Sequence, residues 1–211
     1  MTTFKPRRSV LYMPSSNERA LEKAKSIACD GLILDLEDAV APDAKPAARL
    51  AAAAAASSGE YGRRELTIRV NGMDTQWHQD DMRAACEAGP NAIVVPKVSS
   101  EDEVYALVET MAKYDAPGKT KLWVMIETPS ASERLEVLVM GTNDLVKELY
   151  AEHVPGRQSI LTGLGLALLA ARATGKAILD GGFNDVKDEA GFLAECQQGR
   201  EMGFDGQTLI H

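Results

Sequence analysis

The sequence predicts a single (β/α)₈ barrel spanning residues 1–211, on two observations. Eight short runs rich in β-branched and other apolar residues alternate with helix-like segments, and eight parallel strands close this barrel. Most of these runs are apolar throughout rather than alternating, as strands covered on both faces are. A doubly wound open sheet is the alternative, but no GxGxxG follows the first strand.

The first strand is Val10–Met13, and Asn17 then caps a helix over Glu18–Ala28 that sets Ala20, Leu21, Ala24 and Ile27 on one face. The second strand, Leu32–Leu34, precedes an alanine-rich helix over Lys45–Ala56 with Pro46 in its first turn. The third and fourth strands are Leu66–Val70 and Ala92–Val95. Between them Trp77 and His78, in MDTQWHQDD, read as packing residues before they read as a rim loop. Ser100 caps Glu101–Lys113, with Glu103 completing a capping box. The fifth and sixth strands, Leu122–Ile126 and Val137–Met140, leave Thr128–Arg134 as connector. A parallel crossover needs about a dozen residues or more, so the expectation is a barrel short of the helix after Glu127. Ile160–Ala173 is apolar nearly all round and reads as a buried helix. The seventh strand, Ala177–Leu179, is followed by a helix over Lys187–Met202 with Phe192, Leu193 and Cys196 on one face, then the eighth strand, Thr208–Ile210.

Composition narrows the function classes. Thirty-one acidic against 23 basic side chains give a net charge of −8, and no basic run is present, which excludes a nucleic-acid partner. A few local cations still suit a small anionic substrate. No apolar run approaches the roughly 18 residues of a membrane span. MTTFKPRRSV lacks the apolar core of a secretory signal. Cys29, Cys86 and Cys196 form no CxxC pair, which fits a reducing compartment and a cytoplasmic location.

In such a barrel the chemistry lies at the C-terminal ends of the strands. Those ends carry Asp35, Glu37 and Asp38, then Arg69 and Asn71, Lys97, Glu127, Asn143 and Asp144, and Asp180, Asn184 and Asp185. Any one alone is as well explained by a solvated rim. Together they are harder to dismiss, because Glu127 ends the unbroken run LWVMI at a strand tip. Glu127 and Asp144, on adjacent strands, repel each other unless a hard divalent cation joins them, and Mg²⁺ takes one or two carboxylates while leaving room for substrate oxygens. His78, His153 and His211 are isolated, which disfavours zinc. Arg69 offers a planar fork for a carboxylate, and Gly141 lets the backbone of Gly141–Asp144 approach an anion. This is a site for an α-keto or α-hydroxy acid. Ser15, Ser16 and the helix start at Glu18 form either a phosphate cradle with Arg19 or an ordinary N-cap. Met125 and Met140 read as barrel core, and no Ser-His-Asp or Cys-His spacing competes.

The motifs LYMPSSNERALEKA, GLILDLEDAV, TIRVNG, AIVVPKV, VMIETP, VMGTNDL, AILDGGFNDVKD and GREMGFDGQTLIH follow in order over nearly the whole chain. Together they resemble the citrate lyase β-subunit-like, or CoA-ester lyase, family, which includes malyl-CoA and citramalyl-CoA lyases within the HpcH/HpaI aldolase superfamily. The resemblance implies a (β/α)₈ barrel that binds Mg²⁺, a CoA thioester and a small 2-keto acid, in a homo-oligomer, trimer or hexamer. By motif match Glu127 and Asp144 take the metal-ligand positions, and Arg69 grips the keto-acid carboxylate with backbone donors from Gly141, Thr142 and Asn143. Glu37 and Asp38 form an acidic shell that orients Arg69 or metal-bound water, while Ser15, Arg19 and Lys97 lie towards the CoA phosphates and pantetheine. The implied reaction is a retro-aldol (Claisen-type) cleavage to acetyl-CoA and a 2-keto acid. Malyl-CoA thioesterase, a citrate lyase β subunit and a catalytically silent CoA-ester binder are the alternatives. In the lyases an acid from a C-terminal lid, contributed by a neighbouring subunit, completes the site; the expectation here is a barrel without that lid beyond His211.

Overall fold

A computed structural model describes residues 7–98, 100–126 and 135–211. Its strands are β1 (Ser9–Pro14), β2 (Gly31–Asp35), β3 (Glu65–Arg69), β4 (Ala92–Val98), β5 (Lys121–Ile126), β6 (Leu135–Val139), β7 (Ala177–Asp180) and β8 (Gly206–Leu209). All neighbours pair in parallel and β1 pairs with β8, closing the barrel in chain order. The helices α1 (Glu18–Ala24), α2 (Lys45–Ser57), α3 (His78–Ala88), α4 (Glu101–Lys113), α5 (Thr142–Glu148), α6 (Leu161–Ala173) and α7 (Glu189–Met202) form the outer ring.

Period-two alternation sorts the strand residues into two cores. Val10, Ile33, Val94, Trp123, Val137 and Leu179 fill the barrel interior. Leu32, Leu34, Leu66, Ile68, Ile93 and Leu122 point outward and pack under the helices. On β3 the inward column is Glu65, Thr67 and Arg69, all buried, so one strand carries charges at both ends of the barrel. At the N-terminal end, Arg7 bonds Glu65 (Nε–Oε2 2.6 Å) and Glu136 (Nη2–Oε1 3.1 Å) and lies over the Trp123 ring at 5.3 Å. At the other end, Arg69 belongs to the site.

Helix α4 has the bounds its cap predicts, with Ser100 Oγ accepting from the Glu103 amide at 3.3 Å. Helix α1 stops at Ala24, four residues early, because the chain turns through Ile27 and Cys29 to enter β2. Two helices, α3 and α5, were not predicted. The reading of residues 160–173 as a buried helix is corrected: Leu164, Leu168 and Ala171 face the barrel, whereas Leu166 and Leu169 are exposed. A helix of the outer ring buries only the stripe that meets the strands, however apolar its other faces are. Leu193 of α7 is exposed as well. The connector Thr128–Arg134, with the helix expected to be missing there, lies outside the described residues.

Candidate active site

The strand register builds the site. Asp35 ends β2 directly opposite Arg69, the end of β3. Their side chains meet edge to edge, Nε to Oδ1 at 2.7 Å and Nη2 to Oδ2 at 2.6 Å. Glu37 Oε2 forms an ion pair with Arg69 Nη1 at 2.8 Å, and Asp38 stands at 3.6 Å from the same nitrogen. Of the five N–H groups of a guanidinium, Asp35 takes two and Met125 Sδ a third, Glu37 stands beside Nη1, and the second N–H of Nη2 lies outside these contacts among the described residues. Tyr12 lies under the guanidinium at 4.8 Å from ring to Cζ, and Met125 Sδ is 3.9 Å from Nη1. Burial opposes the charge on Arg69, but its bonds to Asp35 more than offset that and raise its pKa. Burial also pushes the Tyr12 phenol up to about 12, so it stays protonated at neutral pH.

The loop after β2 is fixed by its own backbone. Asp35 accepts from the amides of Glu37 (2.9 Å) and Ala39 (3.2 Å), and the Leu36 amide donates to the Arg69 carbonyl at 2.9 Å. Glu37 is thereby buried between Arg69 and Lys97, whose Nζ is 3.2 Å from Oε1. Burial raises the Glu37 pKa in spite of both cations, and the carboxylate in turn raises that of Lys97. Lys97 sits at φ +57°, a left-handed conformation that costs a non-glycine residue about 1–2 kcal/mol. It follows Pro96 where β4 shifts register against β5 between Val95 and Val98.

Above Arg69 opens a cavity of about 510 Å³, within the usual range for a small-ligand site. Asp35, Asp38, Arg69, Gly141, Thr142, Asn143 and Asp144 are all on its wall, so the structure brings together most of the predicted residues. Three carboxylates against one guanidinium leave this wall short of positive charge. Asp144, in the first turn of α5, has no ion-pair or hydrogen-bond partner among the described residues. A half-buried carboxylate without such a partner there, on a wall that also carries Asp35 and Asp38, suits a divalent cation, and oxygen donors suit Mg²⁺. No group of three or more His, Cys, Asp or Glu stands ready for a metal among the described residues, and Glu127 lies outside them.

Other predicted residues are placed elsewhere. Ser15 is buried, its amide on the Asp35 carbonyl at 3.1 Å, and its Oγ has no hydrogen-bond partner among the described residues. Asn17 caps α1 through the Ala20 amide at 3.1 Å, and Arg19 is exposed. None of Ser15, Arg19, Glu37 and Lys97 is on the cavity wall. Met125 and Met140 are buried and also line the cavity. Sequence reasoning missed Asp35 as the main partner of Arg69, and Tyr12 beneath it. The signal for Asp35 was the β2–β3 register, with both residues the last of their strands.

Residues 8–211 match the family model described as HpcH/HpaI aldolase/citrate lyase. The chain is 50% identical to the (3S)-malyl-CoA thioesterase of Cereibacter sphaeroides over 215 residues, 98% of this chain and 73% of that protein. It is 31% identical to the citrate lyase subunit beta of Escherichia coli K12 over 220 residues, 97% of this chain and 73% of that protein. Among solved structures, the citrate lyase beta subunit of Mycobacterium tuberculosis complexed with oxaloacetate and magnesium superposes with a TM-score of 0.80 at 26% identity, covering 98% of this chain and 92% of that one.

Proposed function

The chain belongs to the HpcH/HpaI aldolase/citrate lyase family, and from that premise we propose that it is an Mg²⁺-dependent enzyme acting on a malyl-CoA type thioester. The observation that carries the substrate class is Arg69, locked edge to edge by Asp35 and paired with Glu37, as the one cation on the wall of a cavity that also carries Asp38 and Asp144, among the described residues. Hydrolysis to malate and free CoA is the favoured reaction, supported by the 50% identity to a protein named malyl-CoA thioesterase. Cleavage to acetyl-CoA and a 2-keto acid is the second reading, supported by the likeness to citrate lyase β subunits.

Glu127 and Asp144 are the residues that would hold Mg²⁺. Bound there, the ion would polarise the substrate's hydroxy-acid oxygens and stabilise negative charge as it develops. Arg69 binds the substrate carboxylate, and because its fork is set by Asp35 the donors need no rearrangement on binding. Gly141, Thr142 and Asn143 border the same carboxylate with backbone N–H groups of the α5 first turn. Glu37, which is not on the cavity wall, balances the charge of Arg69 and Lys97 and acts through them. A homo-oligomer, trimer or hexamer, is part of the same reading. No helix of the described residues is long and apolar enough to cross a membrane.

The deciding experiment incubates the protein with malyl-CoA and citramalyl-CoA, with Mg²⁺ and with EDTA. Free malate with CoA is the expected product pair; glyoxylate with acetyl-CoA establishes the lyase instead. Full turnover in EDTA overturns the metal-dependent reading.

A further inference from the structure

Lys45 opens α2 and is not on the cavity wall, yet it is only 6% exposed. Its ammonium donates to the Leu36 carbonyl and to the Glu37 carbonyl, both at 2.8 Å, and lies 5.1 Å from the centre of the Trp77 ring. An ammonium has three N–H donors and no acceptor, so two carbonyls and one aromatic face account for all of it. Burial pulls its pKa below the ordinary lysine value, a measure of what removing this charge from water costs. A packing role alone needs no charge here, since an apolar side chain would fill the position without that cost.

The two carbonyls belong to the segment that presents Glu37. Leu36 is held on its other side by its amide bond to the Arg69 carbonyl, and its own carbonyl also accepts from Asn71 Nδ2 at 3.1 Å. Asn71 is fixed by Asp81 (Nδ2–Oδ2 2.6 Å) and His78 (Nδ1 to the Asn71 carbonyl, 2.8 Å), and Asp81 by Arg49 (2.7 Å). The starts of α2 and α3 thus clamp the β2 loop from outside the barrel.

We propose that Lys45 is a positioning residue of the carboxylate site: its ammonium holds the Leu36–Glu37 backbone and so sets Glu37 against Arg69 and Lys97. Its kinetic readout rests on the thioester reading above; its structural readout does not.

The test compares Lys45→Met and Lys45→Arg with the wild-type chain by hydrogen exchange and by Mg²⁺-dependent turnover of malyl-CoA. In Lys45→Met the amides of residues 36–38 should exchange at least about tenfold faster while those of β4 and β5 keep their protection. Because Asp35 still anchors Arg69, the loss should fall on kcat, about tenfold or more, with KM nearly unchanged. Lys45→Arg, which keeps a cation, should recover part of kcat. Unchanged exchange at residues 36–38 overturns the proposal, as does faster exchange with unchanged kcat, which would make Lys45 merely structural. Absence of turnover in the wild-type protein strikes the functional reading, and the exchange result then decides this one alone. Should the methionine variant not fold, Trp77→Leu removes the ring and leaves the ammonium; a smaller shift of the same kind supports the proposal and none overturns it.

Discussion

Asp35 and Arg69 stand opposite each other in the β2–β3 register and close that pairing with a two-point ion pair of 2.7 and 2.6 Å. The bond is a consequence of where two strands end. Inward residues at the C-terminal tips of adjacent parallel strands share one face, and a fork meeting a carboxylate in plane has little freedom left. Arg69 is therefore set before any ligand arrives.

Arg69→Lys keeps the charge and should still lose most of the activity, about a hundredfold in kcat/KM for malyl-CoA. A point ammonium cannot bond both oxygens of Asp35, reach Glu37 and still offer a donor to a substrate carboxylate. Steady-state kinetics on the purified variant check this; kinetics within twofold of wild type would remove Arg69 from the carboxylate site.

Asp144→Asn and Glu127→Gln should each abolish Mg²⁺-dependent turnover with little change in melting temperature. Asp144 is half-buried with no partner among the described residues, so neutralising it relieves a charge and breaks no bond there. Mg²⁺ titration by calorimetry, read beside Tm, separates loss of the ion from loss of the fold. Normal Mg²⁺ affinity in either variant would contradict its place as a ligand.

Much of this molecule is legible in the amino-acid order, and the parts that are not have physical reasons. Runs such as Leu32–Leu34 announce β2 because a doubly covered strand must be apolar, and Ser100 with Glu103 marks the first turn of α4. Helix α3 hides behind its polar start, HQDD, whose His78 and Asp81 are buried only because Asn71 and Arg49 bond them. Helix α5 is too short for periodicity to show. Arg69 was visible from its place at a strand end and Asp144 from the segment that follows β6, and Glu127 lies outside the described residues. Lys45 was not visible, since a lysine opening an alanine-rich helix reads as solvated until two carbonyls are found on its ammonium.

Glu37 makes stability fall as pH rises. Burial lifts its carboxyl above the ordinary value of 4.5, so between 4.5 and the folded value the native protein holds a proton that the unfolded chain has released. That favourable difference is fully present below 4.5 and is lost as pH climbs through the folded pKa. Glu37→Gln, which mimics the protonated form, should gain Tm relative to wild type between pH 4.5 and 7. A constant difference across that range, by calorimetry, would show that burial does not dominate at this residue.

Gly181→Ala should weaken Mg²⁺ binding without touching a ligand. A Cβ on Gly181 would stand 2.8 Å from Thr142 Cβ and nearer still to its Oγ1, so the first turn of α5 must move, and Asp144 with it. Gly165→Ala in α6 is the contrast: nothing lies within 4 Å, and removing a mid-helix glycine should stabilise by roughly 0.5–1 kcal/mol. Unchanged Mg²⁺ affinity in Gly181→Ala would mean that α5 is free to adjust independently of Asp144.

Arg7→Met should destabilise the barrel from its far end while leaving the site's chemistry intact. Arg7 is 4% exposed and stands between the Glu65 and Glu136 carboxylates over the Trp123 ring. Removing one side of a buried charge cluster typically costs roughly 3–5 kcal/mol, because the other side keeps its charge and loses the compensation that Arg7 gave it. For a chain of this size that is a fall of roughly 6–20 °C in Tm. At temperatures where the variant is folded, its KM for malyl-CoA should match wild type, since Glu65 and Arg69 occupy opposite ends of the same inward column of β3. A Tm within 2 °C of wild type would show that the carboxylates are satisfied without the guanidinium. A changed KM would show that strain at one end of β3 reaches the other.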